Sequence, residues 1–252
     1  MNPRPGVAIL TYHSLDDSGS VLSTPPRVFA EQMRRLKEWG VKVVSLDTVA
    51  QAVVSTVPYG GCVAITFDDG FKNIHEYALP VLHRYGFTAT IFLVPHYCGK
   101  DNSWPSQRTS IPRGPLLSWV EIGEMGKYGI DVGAHTLTHP DLTRIPLSQA
   151  EEEITQSKKI IEDHVGTEIR MFAYPYGRYD SGIREMVRKH FVGACTTHLG
   201  RNDAFSDPYG LRRVDMYYLS HPALFRALSS KVLDGYLGIR QVLREAREIF
   251  RS

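Results

Sequence analysis

The chain has 252 residues, 42% of them hydrophobic and 22% charged, and its 29 basic and 27 acidic residues leave a net charge of +2. So ordinary a composition excludes a disordered or collagen-like chain, and so even a charge balance excludes a protein built mainly to grip nucleic acid or an anionic membrane. No apolar run approaches the roughly 18 residues that a membrane span requires.

Three cysteines, Cys62, Cys98 and Cys195, are too sparse a set for a disulfide scaffold and suit a reducing compartment. The N-terminal stretch lacks the basic flank, apolar run and small-residue cleavage site of a signal peptide. The expectation is therefore a cytoplasmic protein whose single domain spans residues 1–252.

Along the chain, short apolar runs alternate with amphipathic stretches, the signature of βα units. Residues 7–12, 62–67, 88–94, 130–134, 171–174 and 192–196 read as strands, several of them apolar on both faces as covered parallel strands should be. Residues 72–85 read as helix. Ser118 with Glu121, and Ser148 with Glu151, have the spacing of capping boxes, with Gly129 and Gly166 as the matching stops. A last helix over 237–250 would put Ile239, Val242, Leu243, Ala246 and Phe250 on one apolar face. The irregular stretch 95–117, around Trp104, has the length of a lid or binding loop, and 200–210 is a shorter loop of similar character. Such a βα succession is a barrel or an open sheet, and in both the chemistry sits at the strands' C-terminal ends.

Those ends carry unusual residues. The strand 62–67 runs into Asp68-Asp69-Gly70, the strand 130–134 into His135-Thr-Leu-Thr-His139, and the first strand into His13. Asp-Gly also marks hairpins, but here a helix-like stretch follows. Two adjacent buried carboxylates repel each other unless one meets a cation and the other handles a proton. Two histidines four apart after a buried strand can converge on one ion, and zinc accepts such nitrogens together with a carboxylate. Asp69, His135 and His139 therefore form a candidate metal site, Asp68 a candidate general base beside it. Further on, Phe172-Ala173-Tyr174-Pro175-Tyr176-Gly177 is a strand followed by a sharp turn. Its Tyr176 amide could face a developing oxyanion, although a turn that merely covers the core would use the same residues.

Thr66-Phe67-Asp68-Asp69-Gly70, His135-Thr-Leu-Thr-His139 and Tyr174-Pro175-Tyr176-Gly177, in this order, resemble the first three motifs of the polysaccharide deacetylases, carbohydrate esterase family four. The likeness runs from Thr11-Tyr12-His13 to about Asp215. It implies a distorted (β/α) barrel of seven strands and metal-dependent removal of N-acetyl groups from a sugar. It implies Asp68 as base, Asp69, His135 and His139 as metal ligands, and the Tyr176 amide as oxyanion donor.

The chain departs from the family at two points. Many members carry Arg where Ala173 stands, and members with the Phe-Ala-Tyr-Pro-Tyr-Gly variant often have a later Leu-x-Arg. Leu211-Arg212-Arg213 is similar to that element, so Arg213 or Arg212 is expected to brace Asp68. The late Leu-x-x-His motif that supplies the general acid is not recognisable: His198 reads as a surface loop residue and His221 as a helix start. His13, in a Tyr-His context resembling exopolysaccharide deacetylases, is the candidate acid, with a structural strand-end histidine as the alternative.

The expected metal is Zn²⁺, with Co²⁺, Ni²⁺ or Fe²⁺ also compatible with two imidazoles and a carboxylate. The expected substrate is an acetylated amino sugar, a glycan, or a surface-polysaccharide precursor such as a nucleotide sugar or lipid-linked saccharide. Trp104 and Tyr97 would offer a sugar-stacking platform or pack the barrel rim. An O-acetyl esterase, a formamide-type C–N hydrolase and a glycan-binding protein without catalysis are the competing functions.

Overall fold

The computed structural model describes residues 6–55, 60–230 and 232–249. Its eight strands are β1 (Ala8–Tyr12), β2 (Lys42–Val43), β3 (Cys62–Phe67), β4 (Ala89–Leu93), β5 (Ile130–Ala134), β6 (Met171–Ala173), β7 (Gly193–Leu199) and β8 (Leu211–Asp215). The helices are α1 (Pro26–Glu38), α2 (Leu46–Val54), α3 (Leu79–Tyr85), α4 (Trp119–Lys127), α5 (Leu147–Val165), α6 (Ser181–His190), α7 (Pro222–Arg226) and α8 (Val232–Ile249).

All named strand pairings are parallel, in the order β1-β8-β7-β6-β5-β4-β3, and β1 closes the ring against β3 with Ala8 to Tyr12 opposite Val63 to Phe67. Seven strands thus form a closed barrel. The two-residue β2 is an accessory that pairs with Cys62 and Val63 at the start of β3.

Side-chain alternation separates the core into two layers, as it must in a closed sheet. Leu10, Ile65, Ile91, Phe172 and Ala194 belong to the larger cluster shared with the surrounding helices. Their strand neighbours Ile9, Ala64, Phe92, Ala173 and Cys195 belong to a smaller cluster. The inner layer is crowded: a Cβ on Gly133 would lie 2.6 Å from the Phe92 ring and 2.9 Å from the Met171 carbonyl oxygen. Leu46, Val49, Ala50 and Val53 of α2 join this inner cluster together with Val7, Cys62, Met171 and Leu211, which sit at or just before strand starts. The N-terminal mouth is thereby packed, and the C-terminal mouth is left for chemistry.

The helices follow from local sequence. Helix α1 buries Phe29, Gln32, Met33 and Leu36, one helical stripe, and Gln32 accepts a hydrogen bond from the buried Tyr12 hydroxyl at 2.8 Å. Helix α4 starts at the expected capping box of Ser118 and Glu121, and Gly166 ends α5 in the left-handed conformation. Residues 72–85 form a π-helical turn, Ile74–Ala78, that runs into α3.

Three expectations are corrected. Ser148 and Glu151 do not cap a helix, because α5 already starts at Leu147 behind Pro146, whose fixed φ suits that position. Leu211–Asp215, which does not read as a strand, is the seventh stave of the barrel. Helix α8 starts at Val232 and buries Leu233 and Leu237, whereas Ile239, Val242 and Leu243 are exposed; Phe250 lies outside the described residues. The stretch 95–117, expected as a lid or binding loop, is an internally bonded loop. Asn102 is buried, accepts from the Gly114 amide at 2.8 Å and donates to the Pro112 carbonyl at 3.1 Å, tying the loop's two arms together.

Candidate functional site

Each candidate residue emerges at the C-terminal mouth because its strand ends there. His13 follows β1, Asp68 and Asp69 follow β3, His135 follows β5, Tyr176 lies past β6, and Arg213 sits within β8. The turns are anchored to neighbouring strands: the Asp68 amide donates to the Tyr12 carbonyl at 3.0 Å and the His135 amide to the Leu93 carbonyl at 2.9 Å.

Asp69, His135 and His139 are all buried and present ligand atoms within 4.8 Å of one another. One carboxylate oxygen, Asp69 Oδ1, lies 3.6 Å from His135 Nε2 and 3.4 Å from His139 Nε2. That oxygen is buried without a hydrogen-bond partner. Nδ1 of His135 is 2.7 Å from the Ala173 carbonyl, which fixes it as the protonated nitrogen and turns the Nε2 lone pair toward Asp69. Burial, with the neighbouring His139, pushes the His135 imidazole down to about 4, so it is neutral at physiological pH. Two imidazoles and an orphaned carboxylate oxygen fit a divalent cation such as zinc by donor type and number.

Asp68, next in the chain, has a different environment. Arg213 Nη1 and Nη2 lie 2.7 and 2.6 Å from its two oxygens, a bidentate pair, and Arg213 Nε donates to the Thr196 carbonyl at 2.7 Å. Burial works to raise the Asp68 carboxyl, but the Arg213 charge and its hydrogen bonds prevail and hold it well below the usual carboxylate range. Arg213 is 2% exposed, while Arg212 is exposed on the opposite face of β8. His13 Nε2 lies 3.7 Å from Asp68 Oδ2, and its side chain retains 20% exposure.

Backbone conformation marks the same place. Among the described residues, four non-glycine positions have positive φ: Asp69 at 69°, Thr136 at 64°, His139 at 61° and Tyr176 at 59°. Each is a conformation that costs on the order of 1–3 kcal/mol, and such residues cluster where function demands them. All four lie in the segments that carry this site. Gly177 then follows Tyr176 at φ 70°, where a Cβ would come within 2.4 Å of the Thr197 amide nitrogen. The Tyr176 amide is in the first turn of a one-turn 3₁₀ segment, Pro175–Gly177, a position with no intrahelical acceptor for its N–H.

The sequence model of the polysaccharide deacetylases matches residues 57–193, more than half of the chain. The chain belongs to the polysaccharide deacetylase family. Bacillus subtilis (strain 168) YxkH, which bears the family name, is 30% identical over 208 residues, covering 82% of this chain and 70% of YxkH. A poly-beta-1,6-N-acetyl-D-glucosamine N-deacetylase of Staphylococcus aureus (strain MRSA252) is 26% identical over 134 residues, half of this chain and 43% of that one. Two solved structures share the fold. IcaB from Ammonifex degensii has a TM-score of 0.75 at 23% identity, covering 90% of this chain and 96% of that one. The Streptococcus pyogenes deacetylase PplD, in complex with acetate, has a TM-score of 0.73 at 24% identity, covering 84% and 92%.

Within this polysaccharide deacetylase barrel, His198 and His221 make their contacts elsewhere. His198 is exposed on β7, 3.7 Å from Glu245, and His221 caps α7 by accepting from the Ala223 amide at 3.3 Å. Trp104 is no open sugar platform: it is 2% exposed and stacks on the His139 ring at 4.5 Å, with Tyr97 edge-on to it at 5.6 Å. Nothing in the residue pattern points to Ser106 as donor to the His139 carbonyl at 2.6 Å, or to Ala173 as the acceptor for His135. Those contacts depend on loop and strand packing, and neither residue type advertises them.

Proposed function

We propose that this family member hydrolyses the N-acetyl group of an amino sugar within a polysaccharide or oligosaccharide, using a divalent metal, with zinc as the preferred ion. The observation that carries the reading is the pairing of two unlike carboxylates. Asp69 offers an unpartnered oxygen to two imidazoles, and Asp68 beside it is held ionised by Arg213. The N-acetyl choice is supported by the likeness to the staphylococcal N-deacetylase.

Asp69, His135 and His139 would hold the metal, which when bound polarises the acyl carbonyl and acidifies water. Asp68 then accepts a proton from the attacking water, remaining competent across neutral pH because its carboxyl does not protonate there. The Tyr176 amide N–H donates to the carbonyl oxygen as negative charge builds on it. His13, close to Asp68 and partly open to solvent, gives a proton to the departing amine. Arg213 keeps Asp68 oriented and charged, the task expected of the Arg that Ala173 replaces.

The test is acetate release from N-acetylated and O-acetylated saccharides, comparing wild type with Asp68→Asn, each with and without Zn²⁺. Zinc-dependent acetate release from N-acetyl substrates that disappears in the variant supports the proposal. Release from O-acetyl substrates alone would transfer it to an esterase, and no release despite a bound metal would favour a glycan binder.

A further inference from the structure

His135 and His139 present their Nε2 atoms to the same Asp69 oxygen, yet their rings are fixed by different means. Nδ1 of His135 is tethered to the Ala173 carbonyl, whereas Nδ1 of His139 is buried with no hydrogen-bond partner. An imidazole without that tether has a broad χ2 well and must be aimed by packing instead. Three rings surround it. Trp104 stacks at 4.5 Å with 23° between planes, Tyr176 meets it edge-on at 5.0 Å and 83°, and His135 at 4.8 Å and 74°.

The His139 backbone, in its unfavourable positive-φ conformation, is held from both sides. Its amide donates to Thr136 Oγ1 at 3.0 Å, and its carbonyl accepts from Ser106 Oγ at 2.6 Å. Trp104 contributes its face rather than its nitrogen, since the buried Nε1 has no partner. The same short segment reaches the oxyanion side, because the Ser106 carbonyl accepts from the Tyr176 hydroxyl at 3.0 Å.

We infer that Trp104 and Ser106 are positioning residues for the metal ligand His139, taking over by ring stacking and carbonyl anchoring the task that the Ala173 hydrogen bond performs for His135. This rests on the proposed metal site at Asp69, His135 and His139. The segment 104–106 is thus the part of the long loop that aims the third ligand.

Zinc affinity of the metal-stripped full chain, read by competition with a chromophoric chelator, tests this without reference to turnover. Trp104→Leu, which fills space without an aromatic face, is expected to weaken zinc binding about 10–100-fold, the usual effect of losing a ligand's supporting contact. Trp104→Phe should recover most of that loss, and Ser106→Ala should weaken binding less than Trp104→Leu does. The Co²⁺-loaded Trp104→Leu protein should show an altered d–d absorption spectrum, while the metal-free protein keeps the wild-type circular dichroism.

Wild-type affinity and spectrum in Trp104→Leu would overturn the inference, and so would Trp104→Phe behaving no better than Trp104→Leu. If Trp104→Leu does not fold, Trp104→Phe and Ser106→Ala decide: wild-type affinity in both overturns it, and a measurable loss in Ser106→Ala upholds it. A wild-type chain that binds neither zinc nor cobalt would overturn the metal-site reading itself, and this inference with it.

Discussion

The mouth of the barrel has two halves that start from the same residue type. Asp68 and Asp69 are consecutive, both buried, and end the same strand, yet one has both oxygens filled by a guanidinium and the other keeps an oxygen with no partner. On the Asp68 side a full positive charge from β8 offsets the burial of a carboxylate. On the Asp69 side two imidazoles rather than a guanidinium face the carboxylate, and the positive φ of Asp69 turns its backbone away from the regular strand. The difference teaches that burial alone does not assign a carboxylate its task. The partner supplied from elsewhere in the barrel does.

The sharpest break between the halves is a pair of substitutions. Asp68→Asn should lower kcat by about 10²–10⁴-fold while the zinc content of the purified protein stays at the wild-type level. Asp69→Asn should abolish both together. Elemental analysis beside acetate kinetics reads the two, and loss of metal in Asp68→Asn would dissolve the distinction.

Arg213→Gln leaves the Asp68 charge buried without its partner, which should destabilise the chain by about 3–5 kcal/mol in chemical denaturation at neutral pH. The pH dependence carries the sign. In wild type the Asp68 carboxyl lies below its unfolded value, so its stabilising contribution is complete above the ordinary carboxylate range. That contribution is lost as pH falls through the depressed folded value. Without Arg213 the burial effect dominates and raises the carboxyl, so the variant's deficit should shrink on acidification and the acid limb of its rate profile should move toward neutral pH.

His13→Ala sharpens the Asp68 half further. It should cost kcat about 10²-fold, the lower end of the range for a general acid, with zinc affinity unchanged. Equal losses of both would make His13 structural. The smallest effect is expected at the turn that presents Tyr176. Gly177→Ala meets both a positive φ and a crowded Thr197, and should lower stability by about 1–3 kcal/mol in thermal unfolding.

The Asp69 half was far more legible in the sequence than the Asp68 half. Asp69, His135 and His139 lie in two short runs at the ends of apolar strands, so local pattern alone brings them to one mouth. The partner of Asp68 had no such local signal: only the family resemblance pointed to it, and it left Arg213 and Arg212 both open. Leu211–Asp215 holds three charged residues in five, and a window so charged does not read as a barrel strand. Its alternation makes sense only once the ring is closed, with Arg213 buried and Arg212 in solvent. Trp104 was visible as an aromatic in a long loop, but whether it faced a ligand or a histidine depended on how residues 95–117 fold back through Asn102. The start of α5 was misplaced by one residue type: a serine-glutamate spacing competed with a proline, and the proline's backbone restraint prevailed. The apolar positions of α8 followed a helical period, but period alone does not supply a surface to bury them against.

The last stave has a consequence for how the protein comes into being. The hydrogen bonds from Arg213 to Asp68 span 145 residues, and β8 closes the ring between β7 and β1. During N-to-C synthesis, six staves and the whole Asp69, His135 and His139 cluster emerge before the counter-ion does. Until then Asp68 has no neutralising partner and favours a solvated, open arrangement over the buried one. Ring closure and charge neutralisation are therefore a single late, long-range event, of the kind that slows folding. A nascent chain halted before Leu211 would carry Asp69, His135 and His139 without the counter-ion of Asp68, so the proposed activity has to wait for the last stave.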